Sequence, residues 1–596
     1  MITEAILKKC EQGDVQAMLE VANAHYNGED GNVDYNKAFS LYAQILSIEP
    51  NHAAANNNLG DCYSYGYGVA EDKSKAFEYY KNAALLGMID GQYNLAYCYK
   101  TGEGTIQDYS KAKEWLQKAA LSGDSRSMVE LGNLFEKGLG VEKNFSIAFS
   151  CYKQAADRND QLGLSCLAYC YKYGVGVEVD NQKAFELWLS SAKQGNVTSQ
   201  FNVGKSYRNG DGVTQDLVEA KKWLKLAADQ GDGEAENDYA ELLLNNTHKT
   251  SDDIKDGISY LIRSTEAGYL LAYFNLGLIY YNGEIVAKDL SKALAYWTKG
   301  GNAGMGACSR NAASMYRDGE GVPKNLDLSL RWYKQAIHQE DSVAAVTVGL
   351  AYFLGEDFGE QNYAKARAYF EKGAEFGNSD ALYYLGRIYA DGLGVEQDDK
   401  KALEFFKNGV DADNASCKVE YAIFLAESLG GLSQDLNLSI TLLEQAWNQG
   451  NNSAPDVLNQ VLSRFDYELF EPNHYYELSL RLAELGYAEA QFNMGIIYNK
   501  NENFTIDREK AREWEKKSAD NGYPPAQAAV GFEYMIEEDG DNCIKYWEMA
   551  SQNGMVKVMS DLAHIYLFGE IGIPVNIPRA IALYTKSAEA GYSFSQ

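Results

Sequence analysis

A pair of glycines separated by one residue returns along this chain at a fixed step, and no other feature restricts the fold so strongly. The pairs stand at Gly66/Gly68, Gly102/Gly104, Gly138/Gly140, Gly174/Gly176 and Gly210/Gly212, 36 residues apart each time. The series resumes at Gly283, Gly319/Gly321, Gly355 and Gly392/Gly394. An aromatic residue precedes each first glycine by three positions: Tyr63, Tyr99, Phe135, Tyr171, Tyr207, Tyr280, Tyr316, Tyr352 and Tyr389. A small residue keeps the same step at Gly60, Ala96, Gly132, Ala168, Gly204 and Ala240. It continues through Gly277, Ala313, Gly349, Gly386 and Ala422 to Gly495, Gly531 and Ala563. Self-similarity at a period of roughly 20–50 residues is the signature of a stacked array. An isolated Gly-x-Gly, as in the stretch SYGYGV around Gly66, invites a phosphate-loop reading. A phosphate loop follows a strand and occurs once, whereas this one follows a helical pattern and recurs, so it is a hinge.

Each unit divides into two helices. The first carries apolar or small residues three and four apart, as in AANNNLGDCYSY, and ends where glycine supplies a left-handed conformation. The second starts at an Asp or Asn four residues before a recurrent alanine: Asp72/Ala76, Asp108/Ala112, Asn144/Ala148, Asp216/Ala220, Asp289/Ala293 and Asp507/Ala511. Such a side chain can accept the orphan amide protons of the first turn. The second helix has Trp or Tyr on its apolar face, such as Trp115, and closes at a further glycine, such as Gly87, Gly123 or Gly195. The small residue of the first helix makes room for that aromatic group, and a bulky replacement at Gly60 or Gly204 should overpack the contact by roughly 1–3 kcal/mol.

The pattern A-x3-L-G-x2-Y-x2-G-x-G-V, followed by D-x2-K-A, W/Y, A-A and a terminal glycine, resembles the Sel-one-like repeat family, a 36-residue relative of the tetratricopeptide repeats. The resemblance implies an all-α fold, a right-handed superhelical solenoid of about sixteen helix-turn-helix repeats. Residues 1–12 are expected to lead into the first helix, and 13–450 to hold repeats one to twelve, with an irregular unit at 232–268. A degenerate repeat follows at 451–486, with scope for altered curvature, then C-terminal repeats over 487–591 and the start of a further helix at 592–596. The first unit is nearer a tetratricopeptide repeat. Three units depart from the pattern: LLLNNTHKTSDD replaces the glycine turn near 242–253, Gly430-Gly431 shifts the glycines within 414–450, and SRFDYELFEPNHYY loses them within 451–486.

Composition narrows the function. A formal net charge of −30 repels nucleic-acid backbones and anionic membranes. No apolar run is long enough to span a bilayer, and the N-terminus lacks a secretory pattern, which makes a cytoplasmic protein the expectation. Nine cysteines form no CxxC pair, and Cys62, Cys98 and Cys170 share one register, as expected of small buried thiols. The six histidines form no HxH or HExxH arrangement, so no metal and no cofactor is expected. Cys166 and Cys170 lie one helical turn apart without a companion histidine, and Glu537–Asn542 holds less than half a calcium loop. Neither makes an active site, and the expectation is a protein without catalysis.

By resemblance, the first helices of such solenoids line a concave face. The residue after the small position and those after the aromatic one would face a partner: Tyr65, Tyr97, Lys100, Tyr169, Lys172, Tyr173, Lys205, Arg208, Tyr281, Arg317 and Arg387. This set is basic and tyrosine-rich, which suggests a groove for an acidic or extended protein segment, with the negative charge lying mainly elsewhere. The expected partners are proteins or peptides, and self-association is compatible with the pattern. The leading expectation is a scaffold or adaptor. A dedicated regulator or inhibitor, such as an immunity, defence or stress-response component in a tight complex with one enzyme, is the alternative, and a hydrolase is disfavoured.

Overall fold

The computed structural model describes residues 3–29, 31–500 and 505–592. Among them lie 33 α-helices and two short 3-10 turns, and no strand. A first helix, Glu4–Glu11, stands apart from the next by a three-residue turn, and sixteen helix pairs follow from Val15–Asn27 to Ile577–Glu589. The fold is an all-α solenoid of about sixteen repeats. Of the residues 592–596, only Tyr592 is described.

The chain forms two compact units, Met1–Tyr296 and Trp297–Gln596. Within each, the core is a succession of local clusters, such as the one joining Met128, Tyr152 and Leu164. Each cluster is shared by adjoining pairs, as expected when one pair cannot bury its apolar face alone. The irregular stretch 451–486 still forms a helix pair, Ala454–Arg464 with Pro472–Glu484. It belongs to one cluster with both neighbours, running from Val419 to Ile497.

The glycine pair performs two different tasks. Gly66 ends its helix in the left-handed region, φ 72°, and its amide donates to the Cys62 carbonyl. Gly68 lies against the backbone of Tyr35, the first residue of the preceding unit's second helix. The same approach recurs at Gly104 on Lys73 and Gly212 on Asn181. The second glycine is therefore a contact between units. The loop is closed when the amide of the capping residue donates to the carbonyl of the recurrent aromatic, as from Asp72 to Tyr63 at 2.9 Å.

Within 414–450 the second glycine keeps its register, and the first does not. Gly430 follows Gly394 by 36 residues and packs on the Asp399 carbonyl at 2.9 Å from where a Cβ would stand. The displaced function is the cap, which Ser428 performs with φ 58°. The acidic stretch Glu537–Asn542 is also a simple connection: Asp539 caps the helix Gly540–Gln552 by accepting from the Asn542 amide at 3.1 Å.

The recurrent D-x2-K joins three groups. Asp108 Oδ1 accepts the Lys111 amide at 3.0 Å, and Lys111 Nζ reaches Asp108 Oδ2 at 3.3 Å. The same ammonium group stands 5.3 Å from the ring centre of Tyr99, the recurrent aromatic. Lys75, Lys183, Lys292 and Lys510 repeat the arrangement with Asp72, Asp180, Asp289 and Asp507 over Tyr63, Tyr171, Tyr280 and Tyr498. The bond from the Lys111 backbone holds the Asp108 carboxyl below its ordinary range, which stabilises the ionised cap.

The small-residue register packs as its chemistry requires. A Cβ added at Gly60 would stand 2.5 Å from Tyr80 Cε1, and one at Gly132 2.5 Å from Tyr152 Cε1. The Tyr80 hydroxyl donates to Asp61 at 2.8 Å. Burial pushes the Asp61 carboxyl up to about 6. Asparagine occupies the matching position opposite Tyr152, where the hydroxyl lies 2.8 Å from Asn133 Oδ1. The folded protein thus keeps a proton on Asp61 that an unfolded chain releases near pH 4. Below that pH the contribution to stability is complete, and it is lost as pH rises through about 6. Asp61→Asn should therefore gain stability over the parent at pH 7 but not at pH 4.5. Urea midpoints at the two pH values test this, and an equal change at both would contradict it.

Candidate functional site

The eleven predicted residues all lie on first helices, and the structure shows what each touches. Lys100 Nζ donates to Glu130 at 2.7 Å, and Lys172 meets Asp211 at 3.2 Å. Lys205 meets Glu234 at 3.5 Å, and Arg208 meets Asp238 at 3.1 Å and Glu241 at 3.9 Å. Arg387 binds Asp391 at 2.8 Å and Glu420 at 3.4 Å, and Arg317 grips its neighbour Asp318 at 2.8 Å. Apart from Asp318 and Asp391, these acids belong to the following unit. All but Arg317 of these basic residues are the near halves of ion pairs between units, so each has an acid directly beside it. Burial raises the Asp238 and Glu420 carboxyls, and the facing Arg208 and Arg387 oppose the rise. Reversing Lys172 or Arg208 to Glu would set like charges together inside the stack, which makes such changes a poor probe of docking.

The tyrosines differ in their surroundings. Tyr65 stacks on Tyr67 at 5.4 Å with Lys73 5.6 Å from its ring centre, and Lys100 stands 5.8 Å from Tyr97. Lys288 stands 5.2 Å from Tyr281. Tyr169 and Tyr173 pair with each other, ring centres 4.7 Å apart, and remain 44% and 60% exposed.

Three predicted residues converge. Tyr169, Tyr173 and Lys205 line one groove of about 610 Å³. Its walls come from the first helices Ser125–Lys137, Gln161–Tyr173 and Val197–Asn209 and from the start of Gly233–Leu244. Tyr152, Trp188 and Phe201 are its buried aromatic lining. Glu136, Asp232 and Glu234 stand around it against Lys137 and Lys205, three carboxylates to two ammonium groups. Tyr152 Oη donates to Glu136 at 2.6 Å, and Asp232 accepts the Ala235 amide at 2.8 Å. Cys166 also lines the groove; burial, then the carboxylates Glu136, Asp160 and Glu130, push its thiol up to about 12. A thiol so placed stays protonated and is a poor nucleophile. The buried Cys170 is raised to about 12 by burial, then by Glu136 and Cys166.

Sequence reasoning missed Glu136, although its register pointed there. Glu136 follows Phe135 as Lys100, Lys172 and Arg208 follow their tyrosines. Selecting the cations in that register passed over the anion. A second cavity, of about 500 Å³, opens on the first helices Ala415–Glu427 and Ala454–Arg464 in the other unit.

Among the described residues no group of three or more His, Cys, Asp or Glu could hold a metal ion, and no helix is long and apolar enough to cross a membrane. The Sel1 repeat pattern matches residues 15–45, 53–232 as five consecutive repeats, 270–305, 307–341, 342–378, 379–414, 417–451, 488–523, 524–555 and 556–592. The chain belongs to the Sel1 repeat family. The stretches that this Sel1 repeat protein leaves unmatched between 233 and 269 and between 452 and 487 are two of the three irregular units.

A solved structure, the protective antigen c5321 of uropathogenic Escherichia coli, shares the solenoid fold with a TM-score of 0.56. It is 24% identical and covers 83% of this chain, which covers 97% of it. The DAP3-binding cell death enhancer 1 of Rattus norvegicus is 30% identical over 252 residues, 40% of this chain and 49% of that protein. The chitin synthase regulator SKT5 of Saccharomyces cerevisiae is 28% identical over 246 residues, 39% of this chain and 35% of that protein. The chain thus spans at most about half the length of these curated relatives.

Proposed function

We propose that this Sel1 repeat protein is a non-catalytic, cytoplasmic adaptor that receives an extended segment of a partner protein along its first-helix face, at the groove between Ser125 and Glu234. The observation that carries this reading is the pair of exposed tyrosines, Tyr169 and Tyr173, set above buried aromatic groups in a groove built from several units. Buried, rigid aromatic anchors dominate the energy of protein interfaces, and a groove of this kind supplies them. The relatives support it in kind: one is named for binding DAP3, and another for regulating chitin synthase. Those names also favour a second reading, a dedicated regulator that covers one enzyme in a tight complex. A fixed one-to-one stoichiometry would distinguish it from a scaffold that gathers several proteins.

Site-specific photo-crosslinking tests the docking face. A benzophenone side chain placed at Tyr173, in cells that naturally make the protein, should give discrete protein adducts. The same group at Leu121, which is 89% exposed at the end of a second helix, should give none of them. Identical adducts from both positions, or adducts from Leu121 alone, would remove the first-helix face from consideration.

A further inference from the structure

The groove also indicates the chemistry of what it holds, given that it is the docking face. We propose that it takes a basic, extended segment, with an Arg or Lys side chain laid against Tyr169 and Tyr173 and paired with Glu136 and Asp232.

Three observations lead there. First, the cations packed between units are committed: Lys205 faces Glu234, Lys172 faces Asp211 and Arg208 faces Asp238. Without breaking these pairs an acidic segment would find a single counter-charge in the groove, Lys137. Second, the anions are not all committed. Glu136 is held by the Tyr152 hydroxyl and Asp232 by a backbone amide, and among the described residues neither has a basic partner. The carboxylates Glu136, Asp160 and Glu130 act on Cys166 at the floor in the same sense, raising its thiol. Third, the aromatic pair is vacant of charge. At the recurrent aromatic position an ammonium group repeatedly stands over a tyrosine ring, as Lys111 does over Tyr99 and Lys401 over Tyr389. Among the described residues no cation stands over Tyr169 or Tyr173. A ring face with a carboxylate nearby attracts a guanidinium or ammonium group, Arg most often. The net charge of −30 would speed the encounter with such a segment.

The test is a selection of short random peptides displayed on phage against the full chain, with counter-selection on the Tyr169→Ala/Tyr173→Ala double variant. Circular dichroism and thermal midpoints matching the parent would confirm that this variant is folded, which its exposed positions favour. Peptides that distinguish the two proteins should be enriched in Arg and Lys. Their affinity should fall about tenfold in Glu136→Gln, the loss of one charge-assisted contact; Gln still accepts the Tyr152 hydroxyl, so the groove keeps its shape. Distinguishing peptides enriched in Asp and Glu would overturn the basic assignment while leaving the groove as the docking face. Selection of no peptide that distinguishes the two proteins would overturn the groove itself. Basic peptides unaffected by Glu136→Gln would also overturn the pairing proposed here.

Discussion

Replacing Gly104 by alanine should destabilise the protein by about 2–4 kcal/mol, whereas Gly87→Ala should cost only about 1 kcal/mol. Both glycines have positive φ, 71° and 85°, so a helix-propensity argument would treat them alike. Their surroundings separate them. A Cβ at Gly87 meets nothing within 4 Å, whereas one at Gly104 runs into the backbone of Lys73 and Ser74. That backbone is the first turn of the preceding unit's second helix, Lys73–Leu85, and cannot swing aside as a side chain could. The left-handed strain is common to both variants, and the overlap belongs to Gly104 alone. Urea midpoints give the ranking. Hydrogen exchange should localise the Gly104 effect to residues 73–121, because each unit contacts only its neighbours. Equal losses from the two variants would show that the second glycine does not set the spacing between units.

The second large effect concerns the pair Gly349 and Phe370. A Cβ at Gly349 would lie 2.6 Å from Phe370 Cε1, and Phe370 is fully buried. Gly349→Ala should cost about 1–3 kcal/mol by overpacking, and Phe370→Leu a comparable amount through the space it leaves. Together they should cost about 1 kcal/mol or more less than their sum, since each relieves the other. The protein already contains the intended solution, for Ala96 and Leu116 occupy the matching positions and are both buried. No polar group complicates this contact, in contrast to Tyr80 with Asp61. A strictly additive double variant would mean that the two positions do not share one packing site.

The period was legible because three residue types, each with its own physical reason, recur at one spacing. Gly66 caps a helix, Asp72 caps the next, and Gly60 admits Tyr80. Those tasks are local, within one unit, and a single sequence displays them. What it did not display is what passes between units. Gly66 and Gly68 look alike on the page, yet only the stacked structure shows Gly68 against Tyr35. The basic set was found by its register, but the acids that neutralise it lie some thirty residues on, as Glu130 does from Lys100. Gly430 keeps the register of the second glycine, but Gly431 beside it masks the spacing, and Ser428 takes the cap where the first glycine would stand. The candidate site is legible to the same extent: the register points to Tyr169, Tyr173 and Lys205, whereas Glu136, Asp232 and Phe201 join them only through the stacking of units.

The proposed docking surface is the first-helix face between Ser125 and Glu234. Hydroxyl-radical footprinting of the full chain, free and bound to the protein recovered by crosslinking, measures this at individual side chains. Tyr169 and Tyr173 are exposed on the groove, and Leu85 and Leu121, 66% and 89% exposed, lie at the ends of second helices. The account predicts that binding suppresses oxidation of Tyr169 and Tyr173 and leaves Leu85 and Leu121 unchanged. Protection of Leu85 and Leu121, with both tyrosines oxidised as before, would contradict it.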